Sequence, residues 1–362
     1  MLTSPTLLLD KDIALKNIER MAAKATASCA VFRPHFKTHQ SVEVGRWFRD
    51  FGVDCITVSS LKMAEYFTAD GWKDITVAFP VNIREWSRID ELSGKINLNI
   101  LVENTEAISF LENKLKDPVG VFIKVDTGYG RTGVNAEDMG SIGKLLELLR
   151  NSNKLIFMGF LTHAGNTYHA SSVDEIKKIK EESFGKLLAL KTFFRSAFPL
   201  LQLSYGDTPS CSLGDDFSDV DELRPGNFVF YDEMQFRFGS CSRMDIAVVL
   251  AAPVVAKHPD RKEIIIHGGA VHLSKESVRD SSGKNYFGTV VALDGYSWDV
   301  NTILGKVTGL SQEHGIVTVD DEQIFDSIGI GDMVAVLPVH SCLTANLMKG
   351  YITTEGERLW MM

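Results

Sequence analysis

From Cys29 to Leu223 the chain alternates short apolar runs, many of them β-branched, with amphipathic stretches, and this alternation constrains the fold more than any other feature. The apolar runs are Cys29–Phe32, Cys55–Val58, Ile75–Phe79, Ile96–Val102, Val119–Val125, Leu155–Leu161, Leu201–Tyr205 and Asp221–Leu223. Helical patterning is expected at Val42–Asp50, Leu61–Asp70, Arg84–Leu92, Thr105–Lys116, Ala136–Arg150 and Val173–Phe198. Near-continuous apolar strands separated by helices predict a parallel sheet covered on both faces. Eight such units in about 240 residues match the size of a (β/α)8 TIM barrel. The competing fold, an open doubly wound sheet, would be expected to carry Gly-x-Gly-x-x-Gly after its first strand, and none is present.

The pattern changes past Met244. Val248–Val255, Glu263–Ile266, Thr289–Leu293, Ile316–Val319 and Met333–Leu337 read as short strands with no long helix between them. The expected organisation is therefore an α/β barrel over residues 11–240, followed by a smaller, mainly β domain over 241–362. Residues 2–9 are a candidate strand of that second domain. Asp10 or Asp12 would cap a first helix whose Leu15, Ile18, Met21 and Ala22 share a face.

Composition removes several classes of function. With 38 basic and 47 acidic residues, a net charge of −9, the chain has no electrostatic footprint for nucleic acid. The longest nearly uncharged apolar run, Ile246 to Ala256, is too short to span a bilayer and contains Pro253. Five cysteines without regular spacing do not suggest a disulfide framework, and no secretory leader pattern is visible, so a cytoplasmic location is expected.

In a barrel, chemistry collects at the C-terminal ends of the strands. Arg33-Pro34-His35 stops the first strand and delivers Lys37 there. Alone, Lys37 fits two descriptions, a solvated surface lysine or a Schiff-base lysine. The fifth strand leads into Asp126-Thr-Gly-Tyr-Gly-Arg-Thr-Gly133, carrying Arg131, and the sixth into Thr162-His-Ala-Gly-Asn-Thr-Tyr-His169, carrying His163 and Tyr168. Ser204-Tyr-Gly-Asp-Thr-Pro-Ser210 follows the seventh, and Arg224-Pro-Gly-Asn227 the eighth. Barrels often hold phosphate at these two places. Each residue singly also has a structural reading: a turn for Arg131, Gly206 or Gly226, a core hydrogen bond for His163. Their joint placement at successive strand ends favours function. Late in the chain stands Pro338-Val-His-Ser-Cys-Leu-Thr344. On an extended segment His340 and Cys342 would point to one side and suit zinc, the alternative being a buried cysteine beside a structural histidine.

Five segments resemble the D-serine dehydratase and D-threonine aldolase-like family, within the alanine-racemase-like enzymes of pyridoxal phosphate. They are Arg33–His39, Val125–Val134, Leu161–Gly165, Glu222–Asp232 and Pro338–Thr344. The resemblance implies that Lys37 is the catalytic Schiff-base lysine. It places Arg131 near the cofactor's phenolic oxygen, His163 against its ring and Arg224 facing its ring nitrogen. Gly206, Asp207, Thr208, Gly226 and Asn227 would hold the phosphate, with Tyr231 as a candidate helper and Tyr168 as a candidate contact to cofactor or substrate. His340 and Cys342 would ligate zinc, and the enzyme would be a homodimer. The chain departs from these relatives at Ile266-His267-Gly268-Gly269, where they often carry an acidic residue. His267 and His272 are therefore either pocket residues or structural replacements.

The activity this implies is β-elimination from a β-hydroxy D-amino acid, D-serine being the simplest, with Lys37 as base and the metal on the departing hydroxyl. Two rivals are retro-aldol cleavage, as in D-threonine aldolase, and a non-catalytic carrier of the cofactor. Aldolase relatives tend to carry Asp where this chain has Cys342, and a carrier would need neither the β domain nor the His340/Cys342 pair.

Overall fold

A computed structural model of the chain describes residues 2–362. Its strands are β1 (Thr6–Leu9), β2 (Val31–Phe32), β3 (Cys55–Val58), β4 (Asp74–Pro80), β5 (Asn97–Val102), β6 (Val119–Asp126), β7 (Val134–Asn135), β8 (Leu155–Leu161), β9 (Gln202–Tyr205) and β10 (Glu222–Leu223). Then follow β11 (Val248–His258), β12 (Glu263–His267), β13 (Val278–Arg279), β14 (Asn285–Tyr286), β15 (Gly288–Asp294), β16 (Ser297–Leu310), β17 (His314–Thr318), β18 (Met333–Pro338), β19 (Gly350–Thr353) and β20 (Arg358–Trp360). By compactness the chain divides into one unit holding the residues up to Glu19, Thr38–Gly45 and Asn227–Met362, and another holding Arg20–Lys37 and Arg46–Gly226.

The second of these units is the barrel. Its parallel strands run in the order β2-β10-β9-β8-β6-β5-β4-β3, and all eight predicted strands are present. β7 merely pairs with β6 outside this path. Closure between β2 and β3 is slight: one bridge, His35 to Thr57, with Phe36 N–H donating to Thr57 O and Thr57 N–H to Pro34 O, both at 2.9 Å. Pro34 has no N–H to give, so a regular ladder cannot continue through it. Between the strands lie α3 (Leu61–Ala69), α4 (Trp86–Ser93), α5 (Thr105–Lys114), α6 (Met139–Arg150) and α7 (Val173–Phe194), preceded by α1 (Lys11–Ala27) and α2 (Val42–Trp47). The side chains of Ser60, Asn104 and Ser172 cap α3, α5 and α7. The predicted helix Val42–Asp50 is in fact α2 followed by a 3-10 turn, Phe48–Phe51, which ends at Gly52 with φ of 75°.

The other unit is mainly antiparallel. Six strands, β11-β18-β15-β16-β17-β12, return on themselves because β12 also pairs with β11, and β1, β19 and β20 extend the sheet from β11. Leu250, Ile264, Ile266, Val290, Val307, Val317 and Val336 form its apolar core. The N-terminal strand lies inside this sheet, with Leu7 opposite Leu250 and Leu8 opposite Ile352. The remaining helices are α8 (Thr208–Leu213) in the barrel and, in this unit, α9 (Glu233–Arg237), α10 (Ala270–Leu273), α11 (Glu322–Ser327) and α12 (Ser341–Met348).

Candidate active site

In the barrel unit the short β2 and Pro34 turn the chain so that Phe36 packs against Phe48, Phe67 and Trp72, with ring centroids 4.9–5.1 Å apart. That buried anchor leaves the next side chain, Lys37, exposed. The glycine-rich loop after β6 is organised by Asp126, whose carboxylate accepts from the N–H groups of Gly128, Tyr129 and Gly130. Arg131 leaves this loop with its guanidinium 4.9 Å from the Tyr129 ring.

His163 lies at the end of β8. Its Nδ1 stands 2.7 Å from Gly206 O, and since a carbonyl can only accept, Nδ1 carries the proton and Nε2 is bare. Exclusion of solvent, then the nearby Lys37 charge, hold its pKa well below the usual histidine value. Gly206 permits close approach: a Cβ there would meet the Arg224 backbone carbon at 2.7 Å. Asp207 caps α8 through Ser210 N–H at 2.7 Å and accepts from Thr167, and burial pushes its pKa up to about 6. The Thr208 hydroxyl is buried and has no hydrogen-bond partner, while its N–H lies 3.4 Å from the Tyr168 hydroxyl.

Arg224 is buried with Nε on Ser204 Oγ at 2.5 Å and Nη2 on the Thr162 and Ser204 carbonyls. Ser204 Oγ donates in turn to Glu222 at 2.6 Å, and Glu222 is paired with Arg33, which also reaches Asp74. Burial pulls Arg224 down to about 10 while Glu222 opposes the shift. Lys124, from β6, is also buried, and desolvation followed by the charges of Arg224 and Arg131 lowers it to about 7. These groups fit pyridoxal phosphate: a lysine at a strand end, a glycine cradle, a buried hydroxyl without a partner, and cationic side chains around them.

In the other unit the extended geometry expected for His340 and Cys342 needs correction. Only His340 is extended, at φ −134° and ψ 98°; it precedes α12, and Cys342 lies in that helix's first turn. Alternation along a strand therefore does not bring them together. Asp232, fully buried at the start of α9, reaches this segment at His340 and Ser341. One of its carboxylate oxygens caps α9 through Gln235 N–H; the other lies 3.3 Å from His340 Nδ1 and accepts from Asn227 Nδ2 at 2.7 Å and Ser341 N–H at 3.0 Å. Cys342 Sγ lies 3.3 Å from Thr38 Oγ1 and 3.5 Å from Asn227 Nδ2. A carboxylate near Nδ1 is a usual means of orienting a histidine whose Nε2 binds metal, and here the 3.3 Å approach of Asp232 is an ion-pair contact and not a formed hydrogen bond. The donor set of imidazole and sulfur, with Asp232 behind it, fits a zinc-class ion. Tyr231, with φ of 47°, turns the chain between the 3-10 turn Asn227–Val229 and α9.

Sequence reasoning passed over Lys124, Thr38, Glu222 and Asp232. Asp232 carried a signal, since an aspartate three residues before Gln235 is a capping pattern. Its second role had none, because His340 is remote in sequence.

Residues 9–233 match the family described as alanine racemase, N-terminal domain, and residues 247–354 the putative serine dehydratase domain. The chain belongs to the serine dehydratase-like group of the alanine racemase-like family. The D-serine dehydratase of Dictyostelium discoideum is 29% identical, over 98% of this chain and 94% of its own. The solved D-threo-3-hydroxyaspartate dehydratase of Delftia sp. HT23 superposes with a TM-score of 0.91 at 26% identity, covering 100% of this chain and 98% of its own. A variant of that dehydratase with a cysteine replaced by alanine is described as a metal-free form. The 3-hydroxy-D-aspartate aldolase of Paracoccus denitrificans is 27% identical over 99% of this chain and 90% of its own, so lyases of both kinds are relatives of this family member.

Proposed function

We propose that this chain is a pyridoxal-phosphate- and zinc-dependent lyase that acts on a β-hydroxy D-amino acid, with D-serine converted to a keto acid and ammonia. The observation that carries this reading is the Asp232-backed His340 beside Cys342, in a chain that also exposes Lys37 at a barrel strand end. A racemase has no leaving group to assist and so no use for such a pair. When bound, the cofactor supplies an electron sink for a carbanion at Cα, and the metal supplies a Lewis acid for the departing hydroxyl.

The chain's own residues do the rest. Lys37 would hold the cofactor, and its amine, when free, would take the Cα proton. Neutral His163 offers its unprotonated Nε2 as a contact, and burial and the Lys37 charge make it too weak a base to hold that proton. Thr208 Oγ1, Gly206, Gly226 and Asn227 bind the phosphate, and Tyr231 helps. The Asp207 side chain is committed to capping α8, so its part is to hold that cradle in shape. Arg131 and Tyr168 contact the cofactor or substrate, and Arg224 keeps a positive charge by the ring, sustained by Glu222. Asp232 orients His340 for the metal. A homodimer and a cytoplasmic location complete the proposal; among the described residues no helix is long and apolar enough to cross a membrane, and all five cysteines are free.

Incubation with D-serine is expected to release keto acid and ammonia, and chelation followed by zinc is expected to abolish and restore this. Aldehyde release from D-threonine or 3-hydroxy-D-aspartate, with no keto acid from any substrate, would replace elimination by retro-aldol cleavage. Borohydride should lock the cofactor onto Lys37; a peptide map placing it on another lysine would sink the assignment.

A further inference from the structure

His267, at the end of β12, and His272, in α10, are brought by the fold beside Glu313, in the turn between β16 and β17. None of the three has a role in the proposed elimination. Each offers one ligand atom, and these atoms lie within 4.8 Å of one another. The closest approaches are His267 Nε2 to Glu313 Oε2 at 3.5 Å and His272 Nε2 to the same oxygen at 3.8 Å. Both exceed an ordinary N–H···O hydrogen bond. They are close to the edge of a tetrahedral zinc centre, whose bonds of about 2.0–2.2 Å separate its ligand atoms by about 3.4 Å. The rings stand 5.5 Å apart at 85°, so they do not stack.

The backbone beneath these side chains is cross-bonded. Gly268 N–H donates to Glu313 O at 3.0 Å, Ala270 N–H to Ser311 O at 2.8 Å and Val271 N–H to Gln312 O at 3.1 Å. A Cβ on Gly269 would stand 2.4 Å from Gln312 O, so only glycine lets the two segments come this close. Three donors from three elements are thus held on a rigid frame. Pre-positioning of this kind lowers the ordering cost of binding an ion.

We infer that His267, His272 and Glu313 form a second site for a zinc-class divalent ion, made of different residues from the His340/Cys342 pair. Two imidazoles and one carboxylate suit zinc, cobalt or nickel, whereas magnesium and calcium demand oxygen ligands. The His267 and Glu313 side chains are 42% and 49% exposed, which leaves a fourth position open to water. Proton placement follows from the geometry. Gly269 N–H points at His272 Nδ1 at 3.2 Å, so without metal the ring proton sits on Nε2. Metal on Nε2 moves that proton to Nδ1, where it faces the Gly269 N–H, so the His272 ring must rotate slightly away from Gly269 as the ion binds. The ion would tie the β16–β17 turn to α10, whose Leu273 carbonyl lies 3.5 Å from Thr344 Oγ1 in α12.

Cobalt titration of the full-length, cofactor-loaded protein tests this, because thiolate ligation gives a charge-transfer absorption that nitrogen and oxygen ligands do not. Two cobalt ions per chain are expected, only one bringing the thiolate band. The double variant H267A/H272A should bind one ion and keep the band. The variant H340A/C342A should bind one ion without it. Glu313→Gln, a half-exposed change that leaves the frame intact, should weaken the second ion by more than the ten- to hundredfold typical of an outer-shell change. Nitrogen-15 shifts of His272 should report the exchange of its ring proton. The inference is overturned if H267A/H272A binds as many ions as the unsubstituted chain, or if the thiolate-free ion is missing from both the unsubstituted chain and H340A/C342A. Failure of the proposed lyase metal looks different: the thiolate band is absent while the second ion remains.

Discussion

Lys124 is a buried lysine on β6, lowered from its ordinary 10.5 to about 7 by burial and by the positive charges of Arg224 and Arg131. This makes a pH prediction for the cofactor-free protein. Between pH 7 and about 10.4 the unfolded chain holds a proton on this lysine that the folded chain has released, so stability rises with pH across that window. Below pH 7 the full cost of charging a buried amine is present; above the window it is gone. Lys124→Met should flatten this part of the profile in denaturant unfolding, and an unchanged slope would show that another group causes it. Asp232 makes the second residue-scale case. Asp232→Asn keeps the cap on α9 but removes the anion behind His340 and sets an NH2 against the Asn227 and Ser341 donors, so metal affinity should fall about 10- to 100-fold and the thermal midpoint should fall with it. Both side chains act through neighbours distant in sequence, which is why sequence reading overlooked them.

At the scale of elements, β8 and β9 approach so closely at Gly159, where φ is 154°, that a Cβ would lie 1.9 Å from Gln202 O. Gly159→Ala should force this ladder apart and cost about 3 kcal/mol or more, read from the urea midpoint at unchanged m-value. Loss of this register would also displace His163, two turns of the pleat further along the same segment. The sheet of the other unit shows where patterning falls silent. β16 is fourteen residues long, yet most of its side chains are exposed or half-buried, so no apolar alternation announces it. β19 and β20 were overlooked because each is short and owes its place to pairing with β1 or with the other. The extended geometry expected for His340 and Cys342 stops at His340 because α12 begins at Ser341, where Asp232 accepts the Ser341 N–H from a remote element.

At the scale of the whole molecule, the two compact units are interleaved along the chain. α1 begins in one unit and ends in the other, and Lys37 and Thr38, joined by a peptide bond, belong to different units. A fragment ending at residue 240 would leave β1 without β11 and β19, exposing the buried Leu7, Leu8 and Leu9. Such a fragment should aggregate or lack a cooperative calorimetric transition, whereas the full chain should show one. A fragment that unfolds cooperatively as a soluble monomer would contradict this.

Much of this was legible in order along the chain. The strand–helix alternation, the proline that ends β2 before Lys37, the loops after successive strands and the late His-x-Cys are local patterns. Backbone periodicity and turn chemistry act over a few residues, so they can be read from neighbours alone. What only the tertiary structure decided is which remote groups meet: Asp232 behind His340, Glu222 behind Arg224, cations around Lys124, and Glu313 between His267 and His272. Charge state, tautomer and ligand geometry depend on burial and on partners many tens of residues away, and those are properties of packing, not of any window of sequence.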